Sequence, residues 1–410
     1  MTRMRVALVN PPAEAPVLRD YYCSTRPKAR YHWHPIDILA LAARLQDQAE
    51  LLVVDAIAES LSEVAFRKRV AAFAPDSIVG LVSTLTKGTD LRVLSSLCGP
   101  DIRLSISGEV ALDKSFDFAR WSAVDGLLLD FTSPEAADFV LGKEAAGRVH
   151  TPEHQPTEPP QSTEFTLGPM PHERLPARGY KMPLWGGAFR SLLTDFGCPF
   201  TCTFCNSGRH AIGYKRRAID DVAADIAWMS ALGTQRVYLR DMTFGARREH
   251  TLEVLSMLAP HQWSLRGFMR ADLIDDELAS ALSDSGFELA QIGIEVPKQG
   301  RRSALGKKLL DSKLLDGVSH LRRHQVAFGA HFVLGFEGDE VDAVLDCANL
   351  AEQLGAAYLS INIYAHRLGC EHQTPVDDAR RAKIERRAWQ VMWRYNGPRL
   401  VKTAVGHLLA

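Results

Sequence analysis

An α/β protein built from two parallel-sheet domains, a doubly wound sheet followed by a partial barrel, is the fold class that the sequence predicts. Three observations carry it. The chain has 410 residues, and at roughly 100–200 residues per domain this suggests about two or three domains. Short apolar runs alternate with helical periods over most of the length. One proline-dense stretch interrupts that rhythm. With 48 Lys and Arg against 49 Asp and Glu the net charge is −1, and no half of the chain is a basic block. A nucleic-acid partner is therefore not expected. Apolar residues make up 46% and charged residues 24%, ordinary for a folded soluble protein and incompatible with wholesale disorder. No apolar run approaches the roughly 18 residues that span a bilayer, and Met1-Thr2-Arg3-Met4 leads into strand-like Arg5–Val9 without a cleavage region. No membrane association is expected, and a cytoplasmic location is.

Residues 1–150 read as five βα units. Strands are expected at Arg5–Asn10, Leu51–Asp55, Ser77–Ser83, Ile102–Ser107 and Gly126–Asp130. Helices are expected at Ile36–Gln48, Leu61–Phe73, Thr89–Leu97, Leu112–Arg120 and Pro134–Leu141. Such a series makes a doubly wound parallel sheet whose ligands sit beyond the carboxyl ends of the strands, here Pro11-Pro12, Ser83-Thr84 and Gly108-Glu109. There is no GxGxxG and no P-loop. Eight of the 21 prolines lie between Pro152 and Pro183, mixed with Thr, Glu, Gln and Ser, so 151–184 reads as an extended connector.

From Trp185 to Pro375 the rhythm resumes. Strands are expected at Arg190–Asp195, Arg236–Leu239, Ser264–Phe268, Leu289–Ile294, Phe328–Leu334 and Tyr358–Ile363, separated by helices at Ile219–Leu232, Glu249–Leu258, Asp276–Ser285, Lys313–His324 and Val341–Leu354. Six units in this span fall short of the eight that close a barrel in roughly 250 residues, so an open, partial barrel is expected. Residues 376–410 read as a charged helix and tail.

Seven cysteines occur, Cys23, Cys98, Cys198, Cys202, Cys205, Cys347 and Cys370. The odd number and long chain argue against a secreted disulfide framework. Three fall in Gly197-Cys198-Pro199-Phe200-Thr201-Cys202-Thr203-Phe204-Cys205, a CxxxCxxC string directly after the first strand of the second domain. Three thiolates on one tight loop can hold three irons of a [4Fe–4S] cube and leave the fourth open. A structural zinc would instead want paired CxxC elements or a close histidine, and the nearest, His210, stands five positions on.

This string, with an aromatic residue before its last cysteine and a six-unit partial barrel behind it, resembles the radical S-adenosylmethionine superfamily. The likeness extends to Leu239-Arg240-Asp241-Met242-Thr243-Phe244, Arg270-Ala271-Asp272-Leu273-Ile274-Asp275, Gly293-Ile294-Glu295 and Gly335-Phe336-Glu337-Gly338. Val9-Asn10-Pro11-Pro12 at the end of the first strand is similar to the branch that carries an N-terminal cobalamin-binding-type domain. The resemblance implies that Cys198, Cys202 and Cys205 hold the cluster and that Phe204 lies against adenine. It further implies Asp241 beside the methionine amino group, Arg270 beside its carboxylate, Glu295 on the ribose hydroxyls and Gly335 at the cofactor. The chemistry implied is reductive cleavage of S-adenosylmethionine to a 5′-deoxyadenosyl radical, which abstracts hydrogen from a small-molecule substrate. An external electron donor of the flavodoxin or ferredoxin type, or a partner reductase, would be needed.

The N-terminal domain departs from its branch. No Asp-x-His-x-x-Gly string occurs in residues 1–150. The loop after the fourth strand, a Gly-Gly stretch in the family, reads Ser107-Gly108-Glu109-Val110-Ala111-Leu112-Asp113-Lys114, with two carboxylates where a phosphodiester would pass. The fifth strand ends in Asp130-Phe131-Thr132-Ser133-Pro134 instead of Gly-Glu-Gly-Glu. Loss of cobalamin is therefore expected, and with it the methyl donor. Radical dehydration of a vicinal diol in a sugar-like secondary metabolite becomes the first expectation, as in the aminoglycoside-deoxygenating members of the branch. Tyr214 is then the candidate hydrogen donor, and His210, Glu337 and His366 candidate acid–base groups. The rival reading retains cobalamin and methylates an unactivated carbon, and a third is a non-catalytic electron carrier. His32 and His34, flanking Trp33, and Cys370 are further residues whose surroundings matter.

Overall fold

The computed structural model describes every residue except 1–2, 22, 28–31, 177–178, 183–184, 186, 371–373 and 410. Met1-Thr2 and Pro183, used above, lie outside the described residues. Packing divides the chain into two compact units, Met1–Phe196 with Arg209–Leu232, and Gly197–Gly208 with Gly233–Ala410. Among the described residues no helix is long and apolar enough to cross a membrane.

The first unit opens with β1 (Met4–Asn10), a short antiparallel pair β2 (Leu18–Asp20) and β3 (Cys23–Thr25), and α1 (Ile36–Leu45). Then follow β4 (Ala49–Asp55), α2 (Glu63–Phe73), β5 (Ser77–Leu81), α3 (Lys87–Ser95), β6 (Arg103–Ser107), β7 (Gly126–Leu128), α4 (Pro134–Val140) and β8 (Val149–His150). Their sheet runs β4-β1-β5-β6-β7-β8. The five parallel strands thus have the 2-1-3-4-5 order of one doubly wound class, with its switch point between β1 and β5. The last strand, β8, pairs antiparallel at the edge. Helix starts follow local chemistry: Ser62 Oγ accepts from Ala65 N, and Ser133 Oγ from Ala136 N ahead of Pro134. The helix expected at Leu112–Arg120 is not present, and turns replace it. The reason is local competition, because the Asp113 carboxylate takes Ser115 N and Asp117 takes Arg120 N.

The proline-rich stretch is not a plain spacer. It contains β9 (Gln161–Phe165), and further on come β10 (Arg190–Leu192), β11 (Asp195–Gly197), β12 (Tyr214–Arg217) and α5 (Ile219–Ala231). A small sheet runs β11-β12-β9. Pro160 O accepts from Tyr214 N, and the adjacent Gly213 is obligatory there, since a Cβ would stand 2.2 Å from that oxygen at a φ of +85°. Beyond β9 the backbone is laced to α5: Leu167 N and Gly168 N donate to Asp221, and Met170 N donates to Asp225.

The second unit contributes the cluster loop and then β13 (Arg236–Phe244), α6 (Arg248–Leu258), β14 (Ser264–Met269), α7 (Asp276–Asp284), β15 (Phe287–Glu295), α8 (Gln299–Ala304), α9 (Asp311–Arg323), β16 (Ala327–Leu334), α10 (Ala343–Leu354), β17 (Tyr358–Ile363) and α11 (Asp378–Leu409). From β13 to β17 the strands lie side by side in chain order, all parallel. Alternation places Leu265, Gly267 and Met269 of β14, fully buried, on one face, and partly exposed Phe268 on the other. The C-terminal helix, Asp378–Leu409, is longer than expected, and it is not a free tail. Asn396 bonds both N and O of Leu359 through its side chain, supplying β17 with a substitute for a further strand.

Candidate functional site

The cluster loop is held by neighbours on three sides. Thr203 N donates to Leu305 O at 3.1 Å. Gly306, with φ +70°, packs so tightly that a Cβ would lie 2.8 Å from Thr201 O and 3.5 Å from Cys202 Cα. The Arg270 guanidinium lies 4.0 Å over the Phe200 ring. Cys198 Sγ stands 3.4 Å from Thr243 Oγ1 at the end of β13, and Cys370 Sγ donates to Phe204 O at 3.1 Å. Burial pushes the thiols of Cys202 and Cys205 up; at Cys202 the charge of Lys307 pulls the other way, while at Cys205 the neighbouring Cys198 adds to the rise.

Among the described residues no group of three or more His, Cys, Asp or Glu is gathered to hold a metal ion. A tetrahedral zinc would need its thiolates about 2.3 Å from one point, whereas an iron–sulfur cube takes each thiolate on a separate iron. Three thiols on one short buttressed loop are a donor set that suits the cube.

The strand ends around this loop carry the other expected cofactor residues. Asp241 is 1% exposed in β13. Arg270 is committed, with Nε and Nη2 on the two Asp272 oxygens at 2.9 and 2.7 Å and Nη2 also on Lys307 O at 2.9 Å. Glu295 ends β15 with φ +71°, a conformation rare for a non-glycine residue and one that marks sites where surroundings impose the backbone. Its carboxylate accepts from Lys307 Nζ at 2.8 Å. Gly335 has φ +102°, and its amide and that of Phe336 donate to the Asp339 carboxylate. Phe204 meets Phe336 edge-on at 5.8 Å, and Phe336 stacks on Tyr364 at 4.5 Å.

The residues proposed for acid–base or hydrogen-donor work come from both units. His210 and Tyr214 belong to the first unit, Glu337 and His366 to the second. Tyr214 is 2% exposed and its hydroxyl donates to Asp195 at 3.0 Å, a packing role in β12. Glu337 and His366 are exposed. His34 is buried, with Nδ1 3.1 Å from Ser191 Oγ and its ring stacked on Tyr180 at 4.0 Å.

Residues that sequence reasoning passed over include Gly306, Lys307 and a row of rings across the sheet. Tyr238 lies 6.3 Å from Phe268, Phe268 5.1 Å from His331, and His331 6.1 Å from Tyr358, while Gln291 Nε2 donates to Tyr238 at 2.7 Å. Every strand from β13 to β17 contributes one member. Period-two alternation within the expected strands would have placed them on a common face.

In the first unit the carboxylates expected to repel a nucleotide tail are satisfied. Glu109 accepts from Thr84 Oγ1 at 2.5 Å, Asp113 from Lys87 at 2.8 Å, and Asp130 from Lys215 at 2.6 Å. Gly108 adopts φ +93° and ψ −169°, a region essentially open to glycine alone, and a Cβ would stand 2.9 Å from Val82 O. The strand-end loop therefore keeps a close glycine turn and balances the charge of Asp113 with Lys87, whereas Glu109 is hydrogen-bonded by a neutral hydroxyl and keeps its charge. The glycine turn and the Asp113 pair are compatible with a cobalamin tail.

No family profile matches the sequence. The chain is 21% identical over 388 residues to an uncharacterized methyltransferase of Pyrococcus horikoshii, covering 88% of this chain and 81% of that protein. It is 24% identical to an uncharacterized methyltransferase of Synechocystis, over 78% of this chain and 58% of that protein. Among solved structures it resembles TsrM of Kitasatospora setae, a radical S-adenosylmethionine methyltransferase with cobalamin and a [4Fe–4S] cluster bound, at TM-score 0.67 and 16% identity over 88% of this chain and 75% of that one. It also resembles OxsB, a cobalamin-dependent S-adenosylmethionine radical enzyme, at TM-score 0.63 and 12% identity over 96% of this chain and 56% of that one. The chain has the radical S-adenosylmethionine fold with an N-terminal cobalamin-binding-type domain.

Proposed function

We propose that this protein is a cobalamin-dependent radical S-adenosylmethionine enzyme that methylates a small molecule. The observation that carries the reading is the combination, in one chain, of the β4-β1-β5-β6-β7 sheet with a parallel-strand unit bearing Cys198, Cys202 and Cys205 on one buttressed loop. The similar proteins described as methyltransferases support it. The expected diol dehydration finds no support among them and is given up. Of the three departures that led to an expectation of lost cobalamin, the acid at Asp113 is neutralised by Lys87, while the missing Asp-x-His-x-x-Gly string and the altered end of the fifth strand stand as read.

Cys198, Cys202 and Cys205 would hold the cluster, and the turns at Gly108 and Ser83-Thr84 would receive cobalamin. When bound, these groups and S-adenosylmethionine supply a carbon radical and a methyl group. The protein's own contribution is orientation and exclusion of water. Glu295 offers a carboxylate to ribose hydroxyls, Phe204 and Phe336 wall the adenine, and Asp241 offers a negative charge to an ammonium. The row from Tyr238 to Tyr358 gives an apolar, ring-lined surface with one imidazole, suited to a small organic substrate.

Anaerobic reconstitution with iron, sulfide and cobalamin, followed by a label in the methyl group of S-adenosylmethionine, tests the reading. The expected result is retained cobalamin in the visible spectrum and label in a small-molecule product. A cluster-bearing protein that never retains cobalamin and returns a dehydrated, unlabelled product would overturn it.

A further inference from the structure

Lys307 was not singled out by any motif, yet the structure places it at the junction of three cofactor elements. It follows Gly306, whose missing side chain lets the backbone press against Thr201 and Cys202, and it is 6% exposed. Its carbonyl accepts from Arg270 Nη2 at 2.9 Å and its ammonium donates to Glu295 Oε1 at 2.8 Å. The pair has space reserved for it. A Cβ on Gly293 would meet Glu295 Oε1 at 2.5 Å and Lys307 Nζ at 3.0 Å, so a side chain there would displace the ends of this ion pair. The positive φ of Glu295 then turns its side chain onto the lysine. Because a Cβ on the preceding Gly306 would stand only 3.5 Å from Cys202 Cα, Lys307 is carried on backbone that lies directly against the cluster loop.

We infer that Lys307 is a positioning residue of the cofactor site: it holds the Glu295 carboxylate for its ribose contact and sets a positive charge beside the Cys202 ligand. The inference rests on the functional reading above for the presence of the cluster and S-adenosylmethionine, but not on cobalamin or on methyl transfer. A cation beside a thiolate-bound cluster favours the reduced, more negative state, and a carboxylate disfavours it. Removal of the two partners should therefore move the cluster potential in opposite directions.

The test is an EPR-monitored redox titration, with equilibrium dialysis of S-adenosylmethionine, on anaerobically reconstituted wild type, Lys307→Met, Lys307→Arg and Glu295→Gln. Lys307→Met should shift the midpoint to more negative values and weaken S-adenosylmethionine binding by about tenfold, the loss of one hydrogen-bonded contact. Lys307→Arg should restore the potential. Glu295→Gln, which leaves the lysine uncompensated, should shift it to more positive values while also weakening binding. Should Lys307→Met fail to assemble a cluster, Glu295→Gln carries the test through the sign of its shift. Unchanged potential and affinity in the variants that assemble a cluster, or shifts of the same sign, would overturn the inference. Wild type that assembles no cluster would instead sink the functional reading.

Discussion

Arg217 Nη1 and the Asp225 carboxylate meet at 2.7 Å with both side chains fully buried. The same guanidinium takes Asp221 through Nε and the carbonyls of Leu193 and Gly168. One arginine thus joins β12, α5 and the proline-rich stretch. Removing it leaves Asp225 charged and unpaired in the interior, and breaking a buried pair this way costs about 3–5 kcal/mol. Arg217→Met should lower the denaturation midpoint sharply. Arg217→Met with Asp225→Leu should recover much of the loss, because no bare charge then remains.

Acid should weaken the same lacing. At Asp221 burial alone would raise the carboxyl, but Arg217 and the amides of Leu167 and Gly168 outweigh it and hold it below its ordinary range. A depressed folded value contributes stability that is complete above the unfolded value of about 3.9 and drains away as pH falls through the folded one. The melting-temperature gap between wild type and Asp221→Asn should therefore be widest near neutrality and close on acidification below about pH 4.

Gly108 predicts a local and a ligand effect together. Gly108→Ala forces a side chain into a glycine-only conformation against Val82 O, at a cost of about 1–3 kcal/mol. Differential scanning calorimetry should show that loss without ligand. Gel filtration after incubation with cobalamin should show reduced retention, while iron content stays at the wild-type level.

Single Cys198→Ala, Cys202→Ala and Cys205→Ala variants should each lose the visible absorbance of the cluster and its iron. Gly306→Val should do so in part, by pushing the loop at Thr201 and Cys202. Cys98→Ala is the control, since that thiol lies on the first unit, donates to Leu94 O and is pushed up to about 11 by burial. Iron and sulfide analysis separates these outcomes.

Much of this architecture was readable from residue order. Tyr358–Ile363 was expected and found at identical bounds, and the remaining strands of the second unit were placed within a few residues except at the end of β13, which runs on to Phe244. Short, near-continuous apolar runs separated by helical periods are a strong signal of a parallel sheet covered on both faces. Turns decided by side-chain competition were not readable, as at Asp113 and Asp117. Nor was β9, whose flanking prolines suggested a spacer while its partner strand β12 lies some 50 residues away in sequence.

By itself the sequence supplied the three cysteines proposed as cluster ligands, because CxxxCxxC puts them on one loop whatever surrounds them, and it supplied the chain order of the parallel strands. Only the tertiary structure decided which charges were bare and which were paired. Asp113 read as repulsive until Lys87 was placed against it, and Glu295 read as a ribose ligand alone until Lys307 was placed beside it. The physical reason is range: covalent spacing fixes neighbours within a loop, whereas the partner of a buried charge comes from a distant strand or helix and exists only once the chain has folded.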